Sequence, residues 1–382
     1  MLFSNTSTSP IGLDISDLSL KLVQLNKSGD KIRIQALGKA DLPAGYFDNG
    51  EIKNKEGIVK AIRTLVANPK FGKVSSDEVV ACLPETKTFV KLIEAEKTPD
   101  NMPANIEIEI GKHVPMPLEE IYYDWQVISE LPGRQLILVG AAPKSIVNQY
   151  TDLIYEAKLS PVALEIEPVA IARSLLAEEH YKFKGEKNKN YGIIDIGAKR
   201  TSMTVYSKNS ILFSLSMPIS GEEITKDIAT ALDIEIEQAE KAKIICGLDE
   251  EKARGIIKKI LAGMIGELIE KINEAIGFYD SHWHERGPLD KIILCGGGAN
   301  VKNLDKIIGE AIKIETKIGD PLVNLGGARK KFATILEETH SLNINLSKKE
   351  KKEEILSITQ DTSAAFTTAI GMALRGIFIE EL

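Results

Sequence analysis

The sequence predicts an α/β protein made of two lobes of one design that face each other across a cleft. Three observations lead there. At 382 residues the chain exceeds what one ordinary core fills and suits two lobes, each large enough to bury its own apolar centre. Short apolar runs with strand alternation recur between helical stripes, so sheet and helix share a core. One pattern also occurs twice at half-chain spacing. Ile11-Gly-Leu-Asp-Ile-Ser16 and Tyr191-Gly-Ile-Ile-Asp-Ile-Gly197 each carry an aspartate near the end of an apolar strand, before a tight turn with a hydroxyl residue and a second strand.

In the first lobe, residues 11–15, 20–25 and 31–35 read as strands of a meander, with Ser28-Gly29-Asp30 as a turn. Residues 56–67 place Ile58, Ile62, Leu65 and Val66 on one helical stripe, and residues 78–83 form a short apolar strand closed by Pro84. Residues 86–130 differ in character: they are strand-like at 88–93, continue through 102–113, and hold the proline-punctuated Val114-Pro-Met-Pro-Leu-Glu-Glu120. They read as a small subdomain inserted in the first lobe. A strand at 135–141, a helix at 144–157 and a strand at 161–167 follow; Pro168 stops that strand and leaves 169–178 as a helix.

A loop at 182–190, rich in lysine, glycine and asparagine, separates the halves. The second lobe then runs through strands at 191–197, 202–206 and 211–215 and helices at 222–232, 235–245 and 253–279. A buried strand at 291–295 ends in Gly296-Gly-Gly-Ala-Asn300, and a helix at 301–312 follows. Residues 340–362, with Lys348-Lys-Glu-Lys-Lys-Glu-Glu354, are too polar for a core and read as a mobile insertion, and 362–377 form a final Ala-rich helix. The expected organisation is lobe I at 1–190 with its insertion at about 86–130, lobe II at 191–335, a mobile polar insertion at 336–362, and a C-terminal helix at 363–382 returning to lobe I.

Composition narrows the function. The 48 basic and 55 acidic residues, net −7, are spread along the chain, so no basic field exists to hold a nucleic-acid backbone or an anionic membrane. Cys82, Cys246 and Cys295 fit neither a Cys-x-x-Cys metal site nor a disulfide framework and read as small buried hydrophobes. Residues 1–10 lack the basic start and apolar run of a secretory signal, and no stretch approaches the ~20 apolar residues of a membrane span. The expectation is a cytoplasmic protein that reaches a membrane only through a partner. The last helix lacks the basic polar face of a membrane-lying helix and ends Ile379-Glu-Glu-Leu382. His282 and His284 have no third ligand nearby and read as part of a loop rather than a metal site.

The two aspartate turns carry the candidate chemistry. A tight turn after a strand aims successive backbone N–H groups at one place, and such a nest binds phosphate oxygens with help from hydroxyls. Two opposed nests can clamp one polyphosphate. Asp14 and Asp195 suit a hydrated Mg²⁺ that bridges the phosphates, because Mg²⁺ keeps most of its waters and needs few carboxylates. The alternative is that each aspartate only caps its own hairpin. Gly296, Gly297 and Gly298 lie between a strand and a helix, where glycine lets a base and ribose rest against backbone. This is neither a Walker A loop nor a Gly-x-Gly-x-x-Gly fingerprint. Glu240 and Lys243, three apart on one helical face, either hold ribose and adenine or form a solvated ion pair.

The ordered set of the Asp14 turn, Asp195-Ile-Gly-Ala-Lys-Arg-Thr201, Gly221-Glu-Glu-Ile-Thr225, Ala239-Glu-Lys-Ala-Lys243 and Gly296-Gly-Gly-Ala299 resembles the phosphate-1, phosphate-2 and adenosine motifs of the actin and 70-kDa chaperone superfamily. Within it the chain is similar to the PilM family of type IV pilus assembly over nearly its whole length. The residues that carry this are Leu42-Pro-Ala-Gly45 with Asp48-Asn-Gly-Glu-Ile52, His113-Val-Pro-Met-Pro-Leu-Glu-Glu-Ile121 with Asp124-Trp125, Glu165-Ile-Glu-Pro168, Gly319-Asp-Pro321 and Ala369-Ile-Gly-Met-Ala-Leu-Arg-Gly376.

The resemblance implies two actin-like (ribonuclease H-like) lobes around a nucleotide cleft, with a distinctive insertion in the first. It implies ATP and Mg²⁺ as cofactors, held by Asp14, Ser16, Asp17, Ser19 and Lys21 in the first lobe and by Asp195, Gly197, Ala198, Lys199, Arg200 and Thr201 in the second. Gly221, Glu222, Glu240, Lys243, Gly296, Gly297, Gly298 and Ala299 complete the implied site, and Asp14 and Asp195 would reach the metal through water. Glu167 falls where the superfamily carries a water-positioning polar residue, and is otherwise a structural carboxylate before Pro168.

The implied partner is the cytoplasmic N-terminal peptide of a PilN-type inner-membrane protein, with other inner-membrane platform proteins of the pilus and self-association beside it. The protein would be peripheral at the inner membrane through these partners. Two readings compete: an FtsA-like division or cytoskeletal actin, which should carry its own membrane-binding tail, and a small-molecule kinase of the superfamily, which needs a second-substrate pocket with a base. Relatives place Gly two residues after the first aspartate, whereas the turn here is Ser16-Asp17-Leu18-Ser19. An added carboxylate and a bulky apolar residue stand where phosphates approach, so turnover should be slow or absent and nucleotide should act as a structural switch. Lys199 and Arg200 point either at phosphate or at solvent. Ile344-Asn345-Leu346 repeats the Ile-Asn-Leu core of the PilN peptide and would compete for its groove.

Overall fold

The computed structural model describes residues 9–29, 31–97, 102–176, 189–325 and 363–378. The Ile344–Leu346 motif, the rest of 336–362, Asp30 of the first turn and residues 379–382 lie outside them.

The first lobe opens with the meander β1 (Ile11–Ser16), β2 (Ser19–Ser28) and β3 (Lys31–Asp41). The short hairpin of β4 (Phe47–Asp48) and β5 (Glu51–Ile52) precedes helix α1 (Lys55–Ala67), whose N-cap Asn54 accepts from the Gly57 N–H at 2.9 Å. Then come β6 (Phe71–Gly72), β7 (Glu78–Leu83), β8 (Phe89–Glu96), α2 (Met102–His113), β9 (Ile121–Leu131), β10 (Arg134–Pro143), α3 (Lys144–Glu156), β11 (Ser160–Ile166) and α4 (Glu167–Leu175). The second half consists of β12 (Asn190–Ile196), β13 (Thr201–Ser207), β14 (Ser210–Met217), α5 (Gly221–Leu232), α6 (Ile236–Cys246), α7 (Ile256–His282), β15 (Lys291–Cys295), α8 (Leu304–Ile312), β16 (Thr316–Ile318) and α9 (Thr367–Ile377).

Two sheets result. One runs β11-β7-β1-β2-β3-β6 and the other β16-β15-β12-β13-β14-β8-β10-β9. The repeat read in the sequence is a repeat of topology. β1 lies antiparallel to β2 and parallel to β7, and β12 lies antiparallel to β13 and parallel to β15. Asp14 and Asp195 therefore end equivalent strands.

β8, β9 and β10 form an antiparallel unit with α2 on one face, closed around Ile93, Ile106, Ile110, Ile137 and Val139. Its β8 also pairs with β14, at Lys91 opposite Phe213, so the unit extends the second sheet and leaves β9 at the outer edge. Helix α9 covers the first sheet, with Ile370, Ala373 and Leu374 against Val23, Leu25 and Ile34. The approach is backbone to backbone. A methyl on Gly12 would lie 2.2 Å from the Ala369 carbonyl oxygen, and one on Gly371 only 1.9 Å from that of Ala170 in α4.

Some boundaries differ from the sequence reading for local reasons. β11 stops at Ile166, and Glu167 opens α4 with Pro168 in its first turn, where a missing N–H costs nothing. Helix α7 begins at Ile256 because Ala253 and Arg254 take left-handed backbone (φ 46° and 53°), and α8 begins at Leu304 after Asn303 (φ 65°).

Replacing Gly371 by Ala should lower the unfolding free energy by about 1–3 kcal/mol, the usual cost of overpacking, read from the urea midpoint. An unchanged midpoint would contradict the close seating of α9 on α4.

Candidate functional site

A cleft of about 350 Å³ opens between the equivalent strand ends of the two sheets. Asp14 stands opposite Lys21 in the β1–β2 register, and the pair closes at 2.7 Å. The same carboxylate accepts from Ser16 Oγ at 2.8 Å. Asp195 has a sparser environment: Cys295 Sγ on the neighbouring parallel strand donates to its Oδ1 at 3.6 Å. Gly296 (φ +79°) passes so near that a side chain there would begin 2.3 Å from that Oδ1. Only glycine leaves the Asp195 carboxylate its place.

The electrostatics are one-sided. Asp14, Glu85, Glu167 and Asp195 all line the cleft, and Lys21 is the ammonium set among them. Desolvation pushes Glu167 well above the usual carboxylate range, and the charges of Asp195, Asp14 and Glu85 push it further, against a hydrogen bond from Thr368 Oγ1 at 3.1 Å. Asp195 is raised to about 6 by desolvation, with Lys21 opposing and Asp14 reinforcing. Glu85 rises to about 7 through desolvation and Asp195, against hydrogen bonds from Ser202 and Ser214. Desolvation alone would lower Lys21, but the charge and hydrogen bond of Asp14 outweigh it, so Lys21 holds its proton more tightly. With Asp17 and Glu240 the lining holds six carboxylates against four basic groups, Lys21, Lys39, Lys199 and Arg200, and the oxygen donors suit a hard divalent cation such as Mg²⁺. Among the described residues no three His, Cys, Asp or Glu side chains converge as a direct ligand set.

The second-lobe turn is pinned from behind. Gly197 N–H donates to the Arg200 carbonyl at 2.9 Å, Glu222 N–H to that of Ala198 at 2.9 Å, and Ser220 Oγ to the same Ala198 oxygen at 2.9 Å. Ser220 is also the N-cap of α5, accepting from Glu223 N–H at 3.2 Å, so turn and helix start form one unit. Arg200 reaches across the cleft, its Nη2 donating to Asn49 Oδ1 at 2.9 Å. Asp17 lines the cleft: desolvation raises its pKa, opposed by the charges of Lys199 and Arg200 from the other lobe. At the cleft's far side, Thr367 and Thr368 bring the positive end of α9.

The structure brings the first-turn residues Asp14, Ser16, Asp17, Ser19 and Lys21 together with Glu167 on the cleft wall. From the second half, Asp195, Gly197, Ala198, Lys199 and Arg200 face them, with Glu240, Gly296 and Gly297 beside. The remaining sequence-predicted residues stand behind this lining. Thr201 Oγ1 donates to the Ile219 carbonyl at 2.9 Å, and Glu222 pairs with Lys199 and Lys226. Lys243 forms the ion pair with Glu240 at 2.7 Å while donating to the Gly221 carbonyl at 2.9 Å and Thr225 Oγ1 at 2.8 Å, so it fastens the start of α5. Gly298 has no room for a side chain beside Ile196, and Ala299 is fully buried.

Glu85 and Thr368 are among the cleft residues that escaped the sequence reading. Glu85 follows Pro84 at the end of β7, the parallel neighbour of β1, which puts it beside the Asp14 strand end. The available signal was that strand-end position, hidden by assigning everything after residue 85 to the insertion. For Thr368 the signal was a pair of hydroxyl residues at the head of an Ala-rich helix.

Fold and cleft together define an actin-like protein. A PilM–PilN type IV pilus biogenesis complex superposes with a TM-score of 0.76 at 21% identity, covering 97% of this chain and 98% of that one. MreB 5 of Spiroplasma citri bound to AMPPNP gives a TM-score of 0.54 at 13% identity, with 98% of each chain covered. In sequence, the cell division protein FtsA of Neisseria meningitidis serogroup B is 23% identical over 359 residues, 82% of this chain and 84% of its own. The family profile for type IV pilus assembly protein PilM matches residues 12–342, and the chain belongs to that family. Among the described residues no helix is long and apolar enough to cross a membrane.

The raised carboxyls fix a pH dependence. A group whose folded pKa exceeds its unfolded value favours the fold at low pH, and that contribution is lost as pH rises through the folded value. For Asp195 the window runs from 3.8 to about 6. Nucleotide-free wild type should therefore lose stability relative to Asp195→Asn between about pH 4 and about pH 7, by on the order of a few kcal/mol. Thermal melts of both proteins test this, and parallel curves would remove Asp195 from the cluster.

Proposed function

We propose that this protein is a nucleotide-switched scaffold of type IV pilus assembly, taking ATP with Mg²⁺ in the cleft and a partner peptide in a groove outside it. The observation that carries the reading is the pair of aspartate turns, Asp14 and Asp195, facing each other across a cleft whose lining has more carboxylates than basic groups. Asp14 and Asp195 would hold a hydrated Mg²⁺, which when bound neutralises charge and polarises phosphoryl oxygens. The N–H groups of the turns at 16–19 and 197–201 would receive the phosphates, and Gly296, Gly297 and Glu240 the nucleoside. Lys21 is held by Asp14 at 2.7 Å and supplies a fixed ammonium beside them.

Two features support slow or absent hydrolysis. Glu167, the residue placed to orient a water, has its Oε1 already engaged by a hydrogen bond from Thr368 Oγ1 at 3.1 Å. Asp17 and Leu18 also line the cleft where phosphates enter. The nucleotide then acts by its presence rather than by its turnover.

For the partner, the reading assigns the cytoplasmic N-terminal peptide of a PilN-type inner-membrane protein to a groove of about 690 Å³ between β9, β10 and the β11–α4 corner. Tyr122, 48% exposed, offers an aromatic face on its wall. Arg173 clasps Glu165 with two bonds at 2.6 and 2.7 Å, and Arg375 adds a third at 2.8 Å, so two guanidinium groups share one carboxylate. Desolvation would raise Glu165, but the two arginines hold it below the usual range. With Asp124 also in the lining, the groove wall balances two acids against two arginines, and Arg375 Nε has no acceptor among the described residues. Through such partners, other platform proteins and self-association, the protein would work at the cytoplasmic side of the inner membrane.

Cleft and groove share their supports. Glu165 faces the groove and Glu167 the cleft from one corner, while α9 holds the first through Arg375 and the second through Thr368. This is the route by which nucleotide would reach the partner.

Calorimetry with Mg-ATP tests the cleft: Asp195→Ala should abolish binding, wild type should release phosphate barely above background, and unchanged affinity in the variant would overturn the assignment. The groove is tested separately with a PilN N-terminal peptide. Tyr122→Ala should weaken it roughly tenfold or more while leaving ATP affinity in place, and equal peptide affinities would move the peptide elsewhere.

A further inference from the structure

Behind the wall made by Glu85 and Thr86 lies a second cavity, of about 480 Å³, that the nucleotide reading leaves unused. Three parts of the chain meet there: the start of β8, the strand β14, and α7, with Pro168 from α4 between them. Its inner surface is mostly apolar, from Phe89, Val90, Phe213 and Ala275. Phe213 meets Phe278 edge to face at 5.1 Å and stacks on Trp283 at 5.4 Å, so the aromatic wall is braced from outside. At the mouth, Leu215 and Phe278 remain 41% and 40% exposed, apolar surface that the fold does not cover.

The polar end of this chamber is Glu85. Its side chain lines both the second cavity and the cleft, and Ser214 Oγ, itself a lining group, donates to its Oε1 at 3.1 Å. Glu274 and Lys91 are the other charged residues in the lining. An aromatic sleeve closed by a carboxylate, with two acids against one base, matches a small organic cation that has a flat apolar body. Inorganic cations fit it poorly, since the sleeve offers them few oxygens.

We propose that this cavity is a binding site for a small aromatic or alkyl amidine or amine, its body against Phe89, Phe213 and Phe278 and its cationic head on the Glu85 carboxylate. A molecule bound there sits one side chain away from the nucleotide cleft, on a residue bonded to the second lobe through Ser214. The site stands whether or not the cleft takes ATP.

Benzamidine is a suitable probe and neutral benzamide its control, both followed by ligand-observed NMR titration of the full chain. Benzamidine should bind saturably and benzamide more weakly. Glu85→Gln should weaken benzamidine by roughly tenfold to a hundredfold, the worth of a charge-assisted hydrogen bond. Because Glu85 also faces the acidic cleft, the mouth must be tested independently. Leu215→Ser and Phe278→Ser, on exposed positions, should each weaken binding several-fold. Loss in Glu85→Gln with both mouth variants unaffected would place the cation in the cleft and overturn the proposal. So would affinity indifferent to Glu85→Gln, or no saturable binding to the wild type.

Discussion

The excess of carboxylate over ammonium in the cleft is the constraint on which the rest of the structure depends. Asp14, Glu85, Glu167 and Asp195 surround one lysine, and three of the four are pushed toward neutrality by desolvation and by one another. Such a group of like charges would relax apart if its supports were soft. They are not. Asp14 and Asp195 end central strands, paired on both sides by strands of their own lobe. Glu167 opens a helix clamped to α9 at backbone contact, and Glu85 is bonded into the opposite lobe. The small thiols of Cys82 and Cys295 sit 3.8 and 3.6 Å from the two aspartates, where a larger side chain would displace a carboxylate.

Helix α9 links this cluster to the groove. It enters with its positive end toward the carboxylates, donates from Thr368 to Glu167, and seven residues later donates from Arg375 to Glu165. Seven residues are close to two turns, so both groups lie on one face of the helix. The absence of side chains at Gly12 and Gly371 lets that face press directly on β1 and α4. A change in charge at Glu167 therefore meets a stiff connection rather than a flexible one.

What the sequence disclosed and what it withheld follow from how local each feature is. The Asp14 and Asp195 turns were legible because strand, aspartate, turn and returning strand all fall within a dozen residues, and they recur. The antiparallel meanders and the glycine stop after β15 were legible for the same reason. Glu85 and Thr368 were not, since they join the cluster only after chain stretches about 70 and 350 residues from Asp14 fold beside it. Lys243 shows a subtler limit: its spacing from Glu240 is equally consistent with a ligand contact and an ion pair, and only the inward carbonyl of Gly221 decides the direction of its ammonium. The edge strand β9 was obscured by exposed Tyr122, Asp124 and Gln126 on its open face, and helix starts shifted where Ala253, Arg254 and Asn303 adopt left-handed backbone.

The duplicated lobes are not electrically equivalent, and this gives the cleft a direction. In the first lobe the Asp14 carboxylate meets an ammonium and a hydroxyl from its own hairpin, so its charge is satisfied locally. In the second, Asp195 faces a thiol and draws on Lys21 from across the cleft. The second lobe is thus the half whose charge depends on what lies between the lobes. A cation arriving there relieves Asp195 most and lowers the cost of bringing Glu167 and Glu85 close. Cross-cleft bonds from Arg200 to Asn49 and from Ser214 to Glu85 then hold the faces together on either side of it. Under the proposed function, closure of such a cleft would depend on its occupant, the divalent ion meeting the charge of Asp195 and the phosphates the N–H groups of the two turns.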